Sequence, residues 1–210
     1  MLVHAFRPDV RLPAKRFAKR LFDVAMSAAL LIIVLPVLVL VALFIRLESA
    51  GPIFRRQARI GEHGQPFALL AFRTTPRDTE SLDDPQGTGE LTHTGRILNQ
   101  YGLDALPQLI NVLKGDMSLV GPQPKRFTRR AGSGGNDALI PAFHIRHAVK
   151  PGLTGWAQVQ NVDGTVREQA MNELQYDLQY VDQHSLLFDA WILGQTIRLV
   201  FAGREKRQHN

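Results

Sequence analysis

The chain has 210 residues, of which 45% are hydrophobic and none is cysteine. This length supports one domain with a real core, and the hydrophobic share excludes a wholly disordered chain. The lack of cysteine excludes disulfides and cysteine-based metal sites. A formal net charge of +6 indicates an anionic partner, and charge alone leaves nucleic acid, lipid headgroups and a phosphorylated substrate open.

Residues 1–20 form a basic segment with one acid, and its cations are Arg7, Arg11, Lys15, Arg16, Lys19 and Arg20. Residues 24–45 then carry no charge. As a helix they would be about 33 Å long, close to the thickness of a bilayer core. We therefore predict a membrane segment over residues 21–46. A cleaved secretory signal is disfavoured, because the apolar run is too long and Arg46-Leu47-Glu48 replaces a small-residue cleavage site.

Pro36 lies near the middle of the apolar run, where a proline removes a backbone hydrogen bond and kinks or breaks a helix. Cations flank the run on both sides, since Arg46, Arg55, Arg56 and Arg59 follow it. A spanning helix prefers its positive flank on the cytoplasmic side only. The pattern therefore favours a re-entrant helix hairpin with both flanks in the cytoplasm. A plain spanning helix that tolerates the proline stays open as the alternative.

Short strands and helices are predicted after the membrane segment. The turn and alternation over residues 49–61 predict a first strand, and residues 66–75 predict a second. Residues 76–90 read as a polar loop whose acids are more simply solvated than cation-binding. Residues 167–181 have the apolar spacing of an amphipathic helix. Residues 191–201 offer an apolar face for either a membrane interface or the core.

The stretch from Leu103 to Pro124 concentrates polar chemistry. Asp104 precedes a proline that can open a short helix, and Lys114 and Gly115 are typical of the end of that helix. A Pro-Gln-Pro-Lys-Arg turn follows over residues 122–126, so the stretch could hold a phosphate. In the alternative reading, Asp104 serves only as the N-cap of the helix.

Five motifs, in this order, resemble those of the bacterial sugar transferases, which are monotopic phosphoglycosyl transferases. They are Ser-x-Gly-Pro-x-x-x-x-Gln-x-Arg-x-Gly (49–61), Phe-Arg-Thr (72–74), Leu-Asp-Ala-Leu-Pro-Gln (103–108), Gly-Pro-Gln-Pro (121–124) and Pro-Gly-Leu-Thr-Gly-Trp-Ala-Gln (151–158). The resemblance implies an α+β fold. A re-entrant membrane helix hairpin would precede a small mixed α/β domain at 47–210 with amphipathic interfacial helices. That domain would face the cytoplasm at the bacterial inner membrane.

The resemblance also implies an activity. A phosphosugar would pass from a nucleotide diphosphate sugar, expected to be a UDP-sugar, to a membrane polyprenol phosphate through an aspartyl-phosphosugar intermediate, initiating exopolysaccharide or glycoconjugate assembly. Asp104 stands at the position of the nucleophile and would also ligate Mg²⁺. The expected substrate-binding residues are Arg73, Gln108, Gln123, Lys125, Arg126, Thr154, Gly155 and Gln158.

The same reading sets expectations for partners. Membrane lipids would be contacted directly, and a homodimer or a complex with polysaccharide-assembly proteins fits this activity. Nucleic acid is not expected as a partner, because the uncharged run of residues 24–45 indicates a membrane protein.

Four departures from the family pattern support a second hypothesis. Ala105 replaces the Glu of the Asp-Glu pair, Gln123 replaces the Arg of Gly-Pro-Arg-Pro, Ala71 replaces a Lys, and the sequence after Val159 also differs. Loss of one such charged group can cost about 10²-fold in rate. The alternative is therefore a catalytically impaired member that acts as a membrane-bound scaffold or regulator of polysaccharide synthesis.

Overall fold

The computed structural model describes residues 13–76, 91–126, 141–160 and 165–208. Within these ranges the helices are α1 (Pro13–Glu48), α2 (His93–Tyr101), α3 (Gln108–Lys114), α4 (Trp156–Val159), α5 (Val166–Gln183) and α6 (Leu186–Gln208). The strands are β1 (Phe54–Ile60), β2 (Pro66–Phe72), β3 (Ser118–Val120) and β4 (Gly152–Thr154). The predicted acidic loop and the departure after Val159 lie largely outside the described residues.

Helix α1 extends beyond the predicted segment 21–46 at both ends and includes part of the basic segment. By length and composition it could cross a membrane. The break expected at Pro36 is absent, since the helix continues through this residue to Glu48. A proline removes only one backbone hydrogen bond, and the others can stay within the helix, as an apolar environment demands. The structure therefore has one continuous helix over the segment for which we predicted a re-entrant hairpin, and the hairpin stays a prediction.

One face of α1 packs on the rest of the chain along most of its length. Its residues recur every three or four positions, as helix periodicity requires, and they are Asp23, Ser27, Leu30, Leu31, Val34, Leu38, Val41, Ala42 and Ile45. The opposite face is apolar and exposed, with Ile32, Ile33, Leu35, Val39, Leu40, Leu43, Phe44 and Leu47 among its residues. An exposed apolar surface of this extent marks a contact with a membrane or another protein.

Both ends of α1 are tied to the same domain. Near its start, the Arg20 guanidinium donates hydrogen bonds to the carbonyl oxygens of Val112 and Leu113, at 2.6 and 2.7 Å. At its end, the Glu48 carboxylate accepts hydrogen bonds from the backbone N–H groups of His93 and Thr94, at 2.6 and 3.0 Å. Glu48 thereby supplies acceptors for the open N-terminus of α2.

Two small sheets form the frame on which the functional residues lie. Strands β1 and β2 pair antiparallel, and β3 and β4 pair parallel. Asn111 joins α3 to β2, because its side chain accepts a hydrogen bond from Leu70 N at 2.9 Å and donates one to Ala68 O at 2.8 Å. These elements enclose a core of Leu69, Leu109, Val112, Met117, Leu119, Val120, Tyr180 and Ile192. The predicted mixture of helices and strands is confirmed.

Candidate active site

Asp104 lies in a turn of 3-10 helix, Leu103–Ala105, between α2 and α3. Gly102, with a left-handed φ of 65°, ends α2 and opens this turn. Strand β2 packs against the turn, and α3 begins at Gln108 just beyond it. The N-cap position of α3 belongs to Pro107, so the alternative reading of Asp104 as the cap of that helix is wrong.

The Asp104 carboxyl is half-buried. Burial raises its pKa, and hydrogen bonds from the backbone N–H groups of Asp104 and Ala105 act in the opposite direction. Within the described ranges, no cation forms a salt bridge with it. A carboxylate that forms no ion pair can attack an electrophile or ligate a metal ion.

Two arginines of β1 and one from residues 121–126 lie near one another, and we call Arg55, Arg59 and Arg126 the arginine cluster. Arg55 and Arg59 share one face of β1, because side chains alternate along a strand. Residues 121–126 run beside the end of β1, where Ile60 N donates a hydrogen bond to Lys125 O at 2.9 Å. The backbones of Arg59 and Arg126 form an isolated antiparallel β-bridge there. Burial lowers the pKa of Arg59, and the nearby charges of Arg126 and Arg55 lower it further. Such a concentration of like charge suits an anion.

The arginine cluster is one strand away from the element that carries Asp104. Arg55 is directly opposite Ala71 in the β1–β2 register, so both side chains lie on the same face of the hairpin. Ala71 belongs to β2, the strand that packs on the Asp104 turn. The structure thus places a cation across from the position at which the sequence motif lacks its lysine.

A buried ionic network supports residues 121–126. Arg146, whose side chain is 2% exposed, forms a short ion pair with Asp177 and lies 3.3 Å from Glu173 of the same helix, α5. It also donates to the carbonyl oxygen of Gln123 at 3.3 Å. Lys125 completes the network through a 2.6 Å ion pair with Glu173. These contacts fix the backbone that presents Gln123 and Arg126.

The sequence profile of the bacterial sugar transferases matches residues 14–203. The chain belongs to this family. The match spans α1, both sheets, the Asp104 turn and most of α6.

Curated relatives of this chain include the UDP-glucose:undecaprenyl-phosphate glucose-1-phosphate transferase of Caulobacter vibrioides. The two are 40% identical over 198 residues, which cover 91% of this chain and 73% of the relative. The uncharacterized sugar transferase EpsL of Bacillus subtilis is 37% identical over 91% of both chains. The undecaprenyl-phosphate glucose phosphotransferase of Komagataeibacter xylinus is 38% identical, and the match covers 86% of this chain but 35% of that protein. The chain therefore spans only about a third of that longer relative.

Two of the expected substrate-binding residues make their hydrogen bonds inside the fold of this chain. Arg73 is 2% exposed and donates to Ser49 O, Ser49 Oγ and Ala50 O at 2.8, 2.6 and 3.1 Å. It thereby holds the turn between α1 and β1. Thr154 is buried, and its hydroxyl lies 2.8 Å from that of Thr196 in α6. Both side chains have structural roles in this arrangement.

Gly155 lies so close to the backbone of Gly121 that a side chain would not fit there. A Cβ there would lie 2.2 Å from the carbonyl oxygen of Gly121, and a Cβ at Gly152 would lie 2.1 Å from Gly121 N. These glycines let β3 and β4 meet closely, because neither has a side chain to separate the two strands. Gln158 is exposed on α4, and Gln108 is half-buried at the start of α3.

Sequence reasoning missed Arg55 and Arg59 as candidate anion-binding residues. The signal was present in the alternation of β1, which places them on one face two positions to either side of Gln57. Within the described ranges, no group of three or more His, Asp or Glu side chains could hold a metal ion. A Mg²⁺ ion held by one carboxylate, water and substrate phosphates needs no such group, and the Asp104 carboxylate fits that mode.

Proposed function

We propose that this sugar transferase moves a sugar phosphate from a UDP-sugar to a membrane polyprenol phosphate, which starts exopolysaccharide or glycoconjugate assembly. Family membership and the activities of the relatives in Caulobacter vibrioides and Komagataeibacter xylinus support this class of reaction. The observation that carries the proposal is the Asp104 carboxylate, half-buried in its turn and without a cation partner within the described ranges.

The proposed reaction has two displacements at one phosphorus atom. An Asp104 oxygen attacks the β-phosphorus of the UDP-sugar, the bond to the bridging oxygen breaks, and UMP leaves with that oxygen. A polyprenol phosphate oxygen then attacks the same phosphorus, and the bond to Asp104 breaks. The carboxylate is regenerated, and the product is a polyprenol diphosphate sugar. Burial that raises the pKa of Asp104 makes its ionised form a stronger nucleophile.

Both displacements bring anions together, so positive charge must offset the repulsion. We assign this role to the arginine cluster, with Gln108 and Gln123 as neutral donors, because Lys125 is already paired with Glu173. Mg²⁺ bound by Asp104 and the diphosphate would supply further charge neutralisation when present. Arg55 and Arg59 lie on β1, which pairs with the strand that packs on the Asp104 turn, and Arg126 lies beside Arg59. The arginine cluster would hold the diphosphate from this strand.

We further propose that α1 bends at Pro36, enters the membrane from one side and leaves both ends in the cytoplasm. Arg20 binds the end of α3 and Glu48 binds the start of α2, so both ends reach one domain. The exposed apolar face between them would contact the lipid of the inner membrane. Basic residues on both flanks agree with this topology.

The activity is tested with the purified full chain, polyprenol phosphate, Mg²⁺ and a panel of sugar nucleotides. We expect release of the nucleoside monophosphate with at least one of them. Asp104→Asn should abolish release. Asp116→Asn, at the other end of α3, is the matched control, because its new amide oxygen can still accept the hydrogen bond of Asn111. Full turnover by Asp104→Asn would remove this residue from the chemistry.

The runner-up function is a catalytically impaired membrane scaffold. It is favoured by one observation, namely that Ala105 leaves Asp104 as the only carboxylate in its turn. A folded, membrane-bound chain that releases no nucleoside monophosphate from any sugar nucleotide would support this function and contradict the transferase.

A further inference from the structure

A cavity of about 1140 Å³ lies between the start of α1, the tip of the β1–β2 hairpin, the approach to β4 and the α5–α6 junction. Its cationic lining consists of Lys15, Arg16, Lys19, Arg20 and Lys150. It is at the Gly115 end of α3, whereas Asp104 precedes the other end of that helix. The proposed active site therefore does not account for it.

Positive charge dominates this cavity. Arg20 and Lys150 converge on one point, because a Cβ at Gly115 would lie 3.3 Å from Arg20 Nη2 and 3.6 Å from Lys150 Nζ. Within the described ranges, no carboxylate forms a salt bridge with Lys15, Arg16 or Lys150.

Three carboxylates also line the cavity, and they are Asp23, Glu62 and Asp182. Asp23 is 3% exposed and already accepts from Leu119 N at 3.2 Å, with Lys19 Nζ at 3.8 Å. Lys19 is further held by Asp189 at 2.7 Å. The lining therefore keeps an excess of cations, and four of them have no carboxylate partner among the described residues, namely Lys15, Arg16, Arg20 and Lys150.

Exposed apolar side chains lie beside these cations. Phe17, Leu21 and Leu187 are 71%, 60% and 85% exposed, and the first and last of them line the cavity. The apolar face of α1 begins at this point. Cations that border an apolar, lipid-facing surface lie at the level of the phosphate headgroups in a bilayer.

We propose that this cavity binds the headgroup of an acidic phospholipid, with the phosphate among Arg16, Arg20 and Lys150 and the acyl chains beside Phe17, Leu21 and Leu187. A free phosphate would leave those three apolar side chains in water, which is why the occupant is a lipid. The inference rests on the proposed membrane association and is independent of the transfer reaction.

The test is native mass spectrometry of the full chain titrated with phosphatidylglycerol, or with phosphatidylcholine carrying the same acyl chains. We expect saturable binding of phosphatidylglycerol in preference to phosphatidylcholine. Each cation near an anionic lipid contributes a factor of about five in affinity, so Arg16→Gln with Lys150→Gln should weaken phosphatidylglycerol binding roughly 30-fold. Arg56→Gln with Arg96→Gln removes the same charge from two exposed sites outside the cavity and should change binding less than threefold.

Thermal melting checks that each variant is folded. If the Arg16→Gln, Lys150→Gln double variant is unfolded, the single Lys150→Gln variant replaces it, and its affinity for phosphatidylglycerol should fall about fivefold. Asp104→Asn should bind lipid like the unaltered chain, which separates this inference from the fate of the transferase proposal. Equal binding of both lipids, equal losses in the two double variants, or effective competition by soluble glycerol phosphate would each overturn the lipid site.

Discussion

The position of Arg55 opposite Ala71 leads to a prediction about where positive charge is needed. If Arg55 supplies the charge that a lysine at position 71 would supply, Arg55→Ala should lower kcat/KM for the sugar nucleotide. A hydrogen bond to a charged group contributes about 1.5–3 kcal/mol, which corresponds to roughly 10- to 150-fold. Because Arg55 is only half-buried and Arg59 and Arg126 remain, we expect the lower end, about tenfold.

Moving the charge back should then restore activity. Directly opposed residues of an antiparallel pair are about 5 Å apart, and a lysine stem can lie along apolar surface with its amine at the rim. Ala71→Lys in the Arg55→Ala background should therefore reverse at least half of the increase in activation free energy that Arg55→Ala causes. Arg56→Ala is the matched control, since Arg56 is exposed on the other face of β1, and it should stay within about twofold.

The assay is the initial rate of nucleoside monophosphate release at substrate concentrations below KM. Circular dichroism and a thermal melt show whether each variant is folded. If folded Arg55→Ala is as active as the unaltered chain, Arg55 handles no substrate charge. If the double variant is no better than Arg55→Ala, positions 55 and 71 do not serve the same anion.

Further predictions concern topology, the missing charges and stability. Cysteines at positions 14 and 56, introduced into a chain that has none, should both resist a membrane-impermeant thiol reagent in intact cells, and labelling of one alone would establish a spanning helix. Ala105→Glu with Gln123→Arg should raise nucleoside monophosphate release about tenfold or more, and no gain would show that neither group limits the rate. Arg146→Met should cost about 3–5 kcal/mol in denaturant unfolding at pH 8 by leaving a buried carboxylate unpaired. That loss should shrink near pH 5, because burial raises the pKa of Asp177 to about 6 and its carboxyl is protonated below that pH. A loss that does not change with pH would refute this reason.

Local patterns predicted several elements correctly. The alternation after residue 53 and the apolar run from residue 66 predicted β1 and β2, because strand periodicity is a local property. Lys114 and Gly115 predicted the end of α3, where Gly115 has a left-handed φ of 98°. The amphipathic spacing over residues 167–181 predicted α5.

Other features depend on contacts between distant residues and could not be read locally. Whether Pro36 ends a helix depends on the packing of α1 against the rest of the chain. Arg73 and Thr154 belong to motifs, but their partners Ser49 and Thr196 are fixed only by tertiary folding. The arginine cluster likewise required the β1–β2 register and the approach of residues 121–126.

The central claim is that Asp104 becomes covalently bonded to the sugar phosphate. The most direct measurement is intact-protein mass spectrometry followed by peptide mapping. The protein is first incubated with Mg²⁺ and a UDP-sugar that the activity assay shows to be a substrate, without polyprenol phosphate. We expect a mass increase of one sugar phosphate on the peptide that contains Asp104, release of one UMP per adduct, and loss of the adduct when polyprenol phosphate is added. Transfer to polyprenol phosphate by an enzyme that never carries the adduct, or an adduct on another residue, would contradict it.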